Sequence, residues 1–269
     1  MEPFQNLDVF DRFSLTFLLQ LLRYVLLAGG AYLLFYHLKK SVWFYRKIQP
    51  KFPKHKDIYR EIGYSVLTML IFAAMGIGIF FLRKLGWTQI YTQVGERGWG
   101  YLLFSVVLAV FGHDTYFYWT HRLMHHPKLF PYFHKVHHLS HNPTPWAAFA
   151  FHPLEAVVEA GVLVFMVFLF PLHPLAILVF LLFMTVMNVL GHTGYEVYPP
   201  WFLKTWWGRW QNTSTHHNMH HQWGKGNYGL YFNIWDKLMK TNFRHYEATF
   251  EANASRVKTA KKEAMPQKR

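Results

Sequence analysis

The chain has 269 residues, 28 Lys and Arg against 14 Asp and Glu for a formal charge of +14, 18 histidines and no cysteine. Apolar residues make up 52%, aromatics 20% and charged residues 16%; an ordinary soluble domain carries about 25% charged residues. These values exclude a disordered chain, a disulfide scaffold, thiolate zinc fingers, cysteine-ligated iron–sulfur clusters and a cysteine nucleophile.

In chain order, Phe13 to Tyr36 is the first candidate membrane span, interrupted by Arg23. A central Arg costs about 2.5–3.5 kcal/mol on insertion, so its side chain is expected to face protein or to snorkel. Ile62 to Leu82 has no charge and is bounded by Glu61 and Arg83. Gly98 to Thr120 follows, with His113 and Asp114 near its end. Ala160 to Tyr195 has no Asp, Glu, Lys or Arg, but Pro171 and Pro174 interrupt it. Proline breaks helices, so the stretch reads as a hairpin, roughly Trp146–Phe170 and Pro174–Gly191, crossing or re-entrant. Glu155 and Glu159 imply that its first half enters the membrane after Trp146. With five spans and the N-terminus outside, the inner segments 39–60, 120–145 and 192–269 carry 23 Lys and Arg and the outer segments 4. That asymmetry follows the positive-inside rule and explains the basic charge without nucleic acid, for which no motif is present. No cleavable signal peptide is expected. Trp146, Trp201, Trp206 and Trp207 are expected at the membrane interface or at the substrate's way in.

The histidines are clustered. His121 and His125 stand i, i+4; His134, His137 and His138 stand i, i+3, i+4; His217, His220 and His221 repeat that pattern. Residues three and four apart share a helix face, so each cluster can bring its imidazoles to one ion. Three clusters offer more nitrogens than one ion takes and suit two. Charge asymmetry, counted independently, places all three on the inner face. Imidazole suits zinc, copper, iron and nickel alike. A zinc-dependent membrane hydrolase of the HExxH type would need a glutamate base after a histidine, and no His-Glu pair occurs. A metal transporter or metal-binding scaffold would place polar residues within several spans, whereas these clusters lie at span ends. An all-imidazole site for two metals beside a membrane fits oxygen activation by non-haem iron, although spacing alone does not distinguish iron from zinc.

At this point the chain resembles the fatty acid hydroxylase/sterol desaturase superfamily of membrane di-iron oxygenases. The resemblance rests on Asp114, Phe117 to His126, His134 to His138, His152-Pro153-Leu154-Glu155, Gly191 to Glu196, His216 to His221, Asn227-Tyr228-Gly229 and Trp235 to Leu238. It covers about residues 100–243 and looks most like the sterol C4-methyl oxidase and C5-desaturase branches. It implies an all-α integral membrane bundle of four to five spans with a cytoplasmic, histidine-rich cap holding two metals. Three regions follow: 1–97, transmembrane with a basic cytoplasmic loop; 98–245, the catalytic region; and 246–269, a basic tail, with Glu247 to Arg269 expected to fray. The implied ligands are His121, His125, His134, His137, His138, His192, His217, His220 and His221. His216, His126, His141 and His152 are further candidates, as ligands or supporting groups. Asp114 and Glu155 are candidates to accept imidazole N–H bonds, and Glu196 to touch or support a metal.

The implied activity is O2-dependent hydroxylation or desaturation of a membrane lipid or sterol, with two iron ions (zinc being possible in a purified sample). The implied location is the endoplasmic reticulum or a bacterial inner membrane, with the site facing the cytoplasm. No flavin, haem or cysteine-cluster module is visible in the sequence. Electrons are therefore expected from cytochrome b5 or a ferredoxin with an NAD(P)H reductase. Gly224-Lys-Gly226-Asn-Tyr-Gly229 matches a dinucleotide fingerprint formally but lacks the strand–turn–helix setting, so a turn is expected there. The family usually has Gly where Lys240 stands, which is expected to alter the turn after the last cluster.

Overall fold

The computed structural model describes residues 7–256. Four helices are long and apolar enough to cross a membrane: α1 (Val9–Leu38), α2 (His55–Lys84), α3 (Gly98–Met124) and, after the shorter α4 (Pro153–Leu169), α5 (Pro174–Gly191). At about 1.5 Å per residue each of the four can cross most or all of a hydrocarbon core about 30 Å thick. No strand forms among the described residues; pairing is limited to isolated bridges such as Lys47 with Tyr195. The protein is an integral membrane helical bundle.

Local sequence sets the helix ends. Asp8 caps α1 by accepting from the Asp11 amide at 2.7 Å. The two His-Pro pairs each start a helix: His152 and His173 accept from the amides of Leu154 and Leu175, and Pro153 and Pro174 occupy the first turn. A proline there gives up no helical hydrogen bond and is already set at a helical φ. The hairpin therefore begins its helix at Pro153; Pro145–Phe149 is a single tight turn. α1 holds two π-helical stretches, Val25–Gly29 and Leu33–Leu38.

α1 packs along α2, α2 against α4, and α3 against α4 and α5. Leu18, Leu22, Leu103, Phe104, Phe165 and Leu178 are exposed on the bundle surface, as lipid-facing residues should be. Its core gathers Met69, Leu102, Phe149, Met166 and Phe180. Between the bundle and the cap runs the buried segment 143–151. Buried carbonyls need donors, and three spans supply them. Tyr24 and Ser65 both donate to the Trp146 carbonyl, Asn188 donates to that of Ala148, and Tyr36 to that of Pro143.

The cap is built on α6 (Ser214–Trp223) and α7 (Tyr246–Ala254). The stretch 247–254 is thus helical rather than frayed: Tyr246, Phe250 and Ala254 pack with Phe202 and Met219. The last residues of the expected tail, 257–269, lie outside the described residues. Gly224 ends α6 in the left-handed conformation (φ 68°), so the formal glycine fingerprint is a helix stop and the turn after it. At the turn after the last cluster, Lys240 itself is left-handed (φ 57°). A side chain costs about 1–2 kcal/mol there. Lys240→Gly should therefore stabilise the protein by about 1 kcal/mol, read as a higher Tm in detergent; an unchanged or lower Tm would show that the turn carries no such strain.

Candidate metal centre

Nine imidazoles meet in two adjoining groups. His121, His125, His134, His138 and His220 form the first; His137, His192, His217 and His221 form the second; within each, one nitrogen per residue lies within 4.8 Å of all the others. α3 delivers His121, and His125 follows as its cap. The short helical turns Phe130–Phe133 and Lys135–His138 place the next three. His192 caps the end of α5, and α6 carries the last three.

The clusters do not each serve one point, as their spacing suggests. His134 and His138, four apart, face the first group, while His137 faces the second; His217 and His221 face the second, while His220 faces the first. Neighbouring helix positions point about 100° apart, so each HxxHH motif straddles both groups. His137 and His221 ring centroids lie 4.6 Å apart, and those of His138 and His221 5.0 Å.

The contacts fit metal ions. In the first group, Nε2 atoms approach at 2.9 Å (His121 to His134), 3.1 Å (His125 to His220) and 3.0 Å (His138 to His220). In the second, they approach at 3.0 Å (His192 to His217), 3.2 Å (His192 to His221) and 3.3 Å (His137 to His192). Neighbouring nitrogens around an ion with bonds of about 2.0–2.1 Å are themselves about 2.9–3.4 Å apart.

The protons point the other way. His121 Nδ1 donates to the Tyr228 carbonyl (2.7 Å), His220 Nδ1 to that of Gly226 (2.7 Å) and His192 Nδ1 to that of Asn188 (2.8 Å). His134 Nδ1 meets Glu155 Oε1 at 2.6 Å. Each such bond leaves Nε2 with a bare lone pair. Burial lowers His192 and His220 to about 4 and holds His134, His137, His138, His217 and His221 well below their ordinary range. Bare lone pairs converging at such distances repel unless a cation lies between them.

The fatty acid hydroxylase family profile matches residues 106–241, half of the chain. The chain belongs to the fatty acid hydroxylase family. A Delta(7)-sterol 5(6)-desaturase of Gibberella zeae is 32% identical over 183 residues, 68% of this chain and 55% of that protein. Lathosterol oxidase of Rattus norvegicus is 30% identical over 223 residues, 80% of this chain and 72% of that enzyme. A C-4 methylsterol oxidase of Schizosaccharomyces pombe is 29% identical over 169 residues, 58% of this chain and 55% of that protein. The match thus spans about half the length of the first and third of these relatives. No solved structure matches significantly. The family is one of oxidoreductases, as these relatives' names show.

The other candidate residues of this family member fall outside the two groups. His216 Nε2 pairs with Asn242 Oδ1 at 3.0 Å. His126 and His141 are exposed, and His152 caps α4. Glu155 meets an imidazole, but Asp114 does not: its Oδ1 accepts from the amides of Tyr231 (2.8 Å) and Phe232 (3.2 Å). Glu196 Oε1 accepts from the Tyr198 amide and Oε2 from that of Thr215, both at 2.9 Å, which fixes the start of α6. Sequence spacing gave no role to Asp236. Its carboxylate accepts from the amides of Tyr228 (2.9 Å) and Gly229 (2.7 Å), steadying the loop whose carbonyl orients His121.

A cavity of about 640 Å³ lies among α1, α2, α3, α4 and α5. Its walls are mostly apolar, with Leu26, Met75, Phe149 and Phe180 among them. Phe117 and Phe151, which also line it, lie against the metal groups: their ring centroids are 4.8 Å from His121 and 5.3 Å from His137.

Two outcomes follow. Removing an outer partner of a metal-binding imidazole weakens metal affinity about 10–100-fold. Glu155→Gln should do so for one of two ions, read by chelator competition; unchanged affinity for both would dissociate Glu155 from the first group. In metal-free protein, His192 and His220 bind protons at about 4 when folded and near 6.5 when unfolded. The unfolded chain therefore takes up more protons between these values. Stability should be full above pH about 6.5 and fall as pH drops toward about 4, seen in thermal unfolding of chelator-treated protein; a flat profile would contradict neutral buried imidazoles.

Proposed function

We propose that this protein oxidises a C–H bond of a membrane sterol or related lipid with O2, at two iron ions held by the nine converging histidines. The single observation that carries this is the apolar cavity ending on Phe117 and Phe151, whose rings rest on His121 and His137. His121, His125, His134, His138 and His220 would hold one ion, and His137, His192, His217 and His221 the other. Iron bound there supplies oxygen activation and removal of hydrogen from an unactivated carbon.

The chain's own contribution is placement. Helices α1 to α5 admit a lipid from the bilayer and exclude water from the reacting carbon. Carbonyls of Tyr228, Gly226 and Asn188 fix the imidazole tautomers. The sterol desaturase and oxidase names of the relatives support a sterol substrate. Insertion of one oxygen or removal of two hydrogens takes two electrons from the substrate. O2 needs four for full reduction, so two come from a separate carrier such as cytochrome b5 or a ferredoxin with its NAD(P)H reductase. The site is assigned to the cytoplasmic face of the endoplasmic reticulum or a bacterial inner membrane. The cap joins the Lys/Arg-rich segment 39–60 through the Glu196 amide, which donates to the Arg46 carbonyl, and basic inner loops favour that side. Residues 98–245 form the catalytic region, preceded by the transmembrane region 1–97.

The test compares lipids of cells making wild type and His137→Ala with a reductase co-expressed, by high-resolution mass spectrometry. A wild-type-only species heavier by one oxygen or lighter by two hydrogens is expected, and its appearance in the variant as well would sink the assignment. Purified wild type should carry iron; zinc in its place with O2-independent activity would favour a hydrolase.

A further inference from the structure

The polar groups on the cavity wall differ in what they already hold. His113 Nδ1 is paired with the Tyr231 hydroxyl at 2.7 Å, and Asn188 donates its amide to the Ala148 carbonyl. Tyr116, beside the wall, donates to the Val158 carbonyl at 2.8 Å. Glu159 is different. It lines the cavity and is 8% exposed, and its Oε1 receives no hydrogen bond from the protein. A buried carboxyl without a donor costs free energy that a donor on the ligand recovers. Glu159 also lies one turn of α4, about 5–6 Å along the axis, beyond Glu155, which bonds His134. It therefore sits at the metal end of the cavity.

Resting on the function proposed above, we infer that Glu159 accepts the hydrogen of the substrate's hydroxyl and so brings the sterol in hydroxyl end first. The apolar body then lies along Leu26, Met75 and Phe180. A sterol's hydroxyl is carried by C3; C4 is bonded to that carbon and C5 to C4. Anchoring at Glu159 consequently presents ring carbons close to the hydroxyl, rather than the side chain, to the metal groups. Arg23 is the competing anchor: it lines the same cavity and its Nε also lacks a partner. Arg23 and Glu159 form no ion pair, and α1 and α4 hold them on different walls. Arg23 is only partly buried, and the bundle gives it no link to the imidazoles comparable to the single turn between Glu159 and Glu155.

Binding tests this without requiring turnover. Metal-loaded wild type, Glu159→Leu, Glu159→Gln and Arg23→Met in nanodiscs are titrated with lathosterol and with its 3-deoxy analogue. Wild type should prefer lathosterol by about three- to tenfold, as a hydrogen bond to a buried carboxyl warrants. Glu159→Leu should erase that preference without weakening the deoxy analogue. Glu159→Gln, whose carbonyl still accepts, should retain most of it, and Arg23→Met should leave it intact. The inference is overturned if wild type shows no preference, if Glu159→Leu keeps it or weakens both probes alike, or if Arg23→Met alone erases it. A preference that behaves as expected in protein unable to oxidise either probe would sustain the anchor and remove the functional reading instead.

Discussion

The repulsion among imidazole lone pairs governs this structure. Nine Nε2-bearing rings are brought together by segments far apart in sequence, inside a cap that buries all of them but the half-buried His125. Such an arrangement opposes folding unless a positive charge compensates it. The surrounding contacts act to the same end. Backbone carbonyls take the Nδ1 protons of His121, His192 and His220, so the tautomers that favour metal binding are also those that hydrogen bonding enforces. The cost of crowding is thereby tied to a single remedy.

Because each HxxHH motif serves both groups, the two imidazole groups are mechanically joined. A shift of the turn Lys135–His138 moves His137 and His138 together, and α6 moves His217, His220 and His221 together. The carboxylates act one layer out. Asp236 holds the Tyr228–Gly229 backbone, Asp114 the Tyr231–Phe232 backbone and Glu196 the first turn of α6. The membrane bundle enters this assembly through the segment 143–151, which spans α1, α2 and α5 hold by its carbonyls.

Much of this was legible in the sequence. The apolar runs announced the long helices, and the local i, i+3, i+4 spacing announced the histidine groups, since both are short-range patterns. His192 had no local partner and came only through family resemblance. The start of α4 at Pro153 was foreshadowed by Glu155, but the tight turn at Trp146 was not. The division of each HxxHH motif between two groups was hidden because helical spacing shows which residues share a face, not where neighbouring faces look. Asp114 and Glu196 were harder still. Asp114 holds an amide 117 positions away, and no local pattern reports such a partner. The helix Tyr246–Ala254 was obscured by the polar sequence that follows it, although Tyr246 and Phe250 carried its apolar face.

The absence of cysteine takes on another meaning in this light. The first imidazole group ties positions from His121 to His220, and the second ties positions from His137 to His221. Ions held there would close long loops as disulfides do in secreted proteins, while leaving the chain indifferent to the thiol chemistry of its compartment. Such cross-links depend on supply. Without the ions the chain would lose these ties between distant segments, and its stability would rise with the free metal concentration as for any ligand that binds only the folded state.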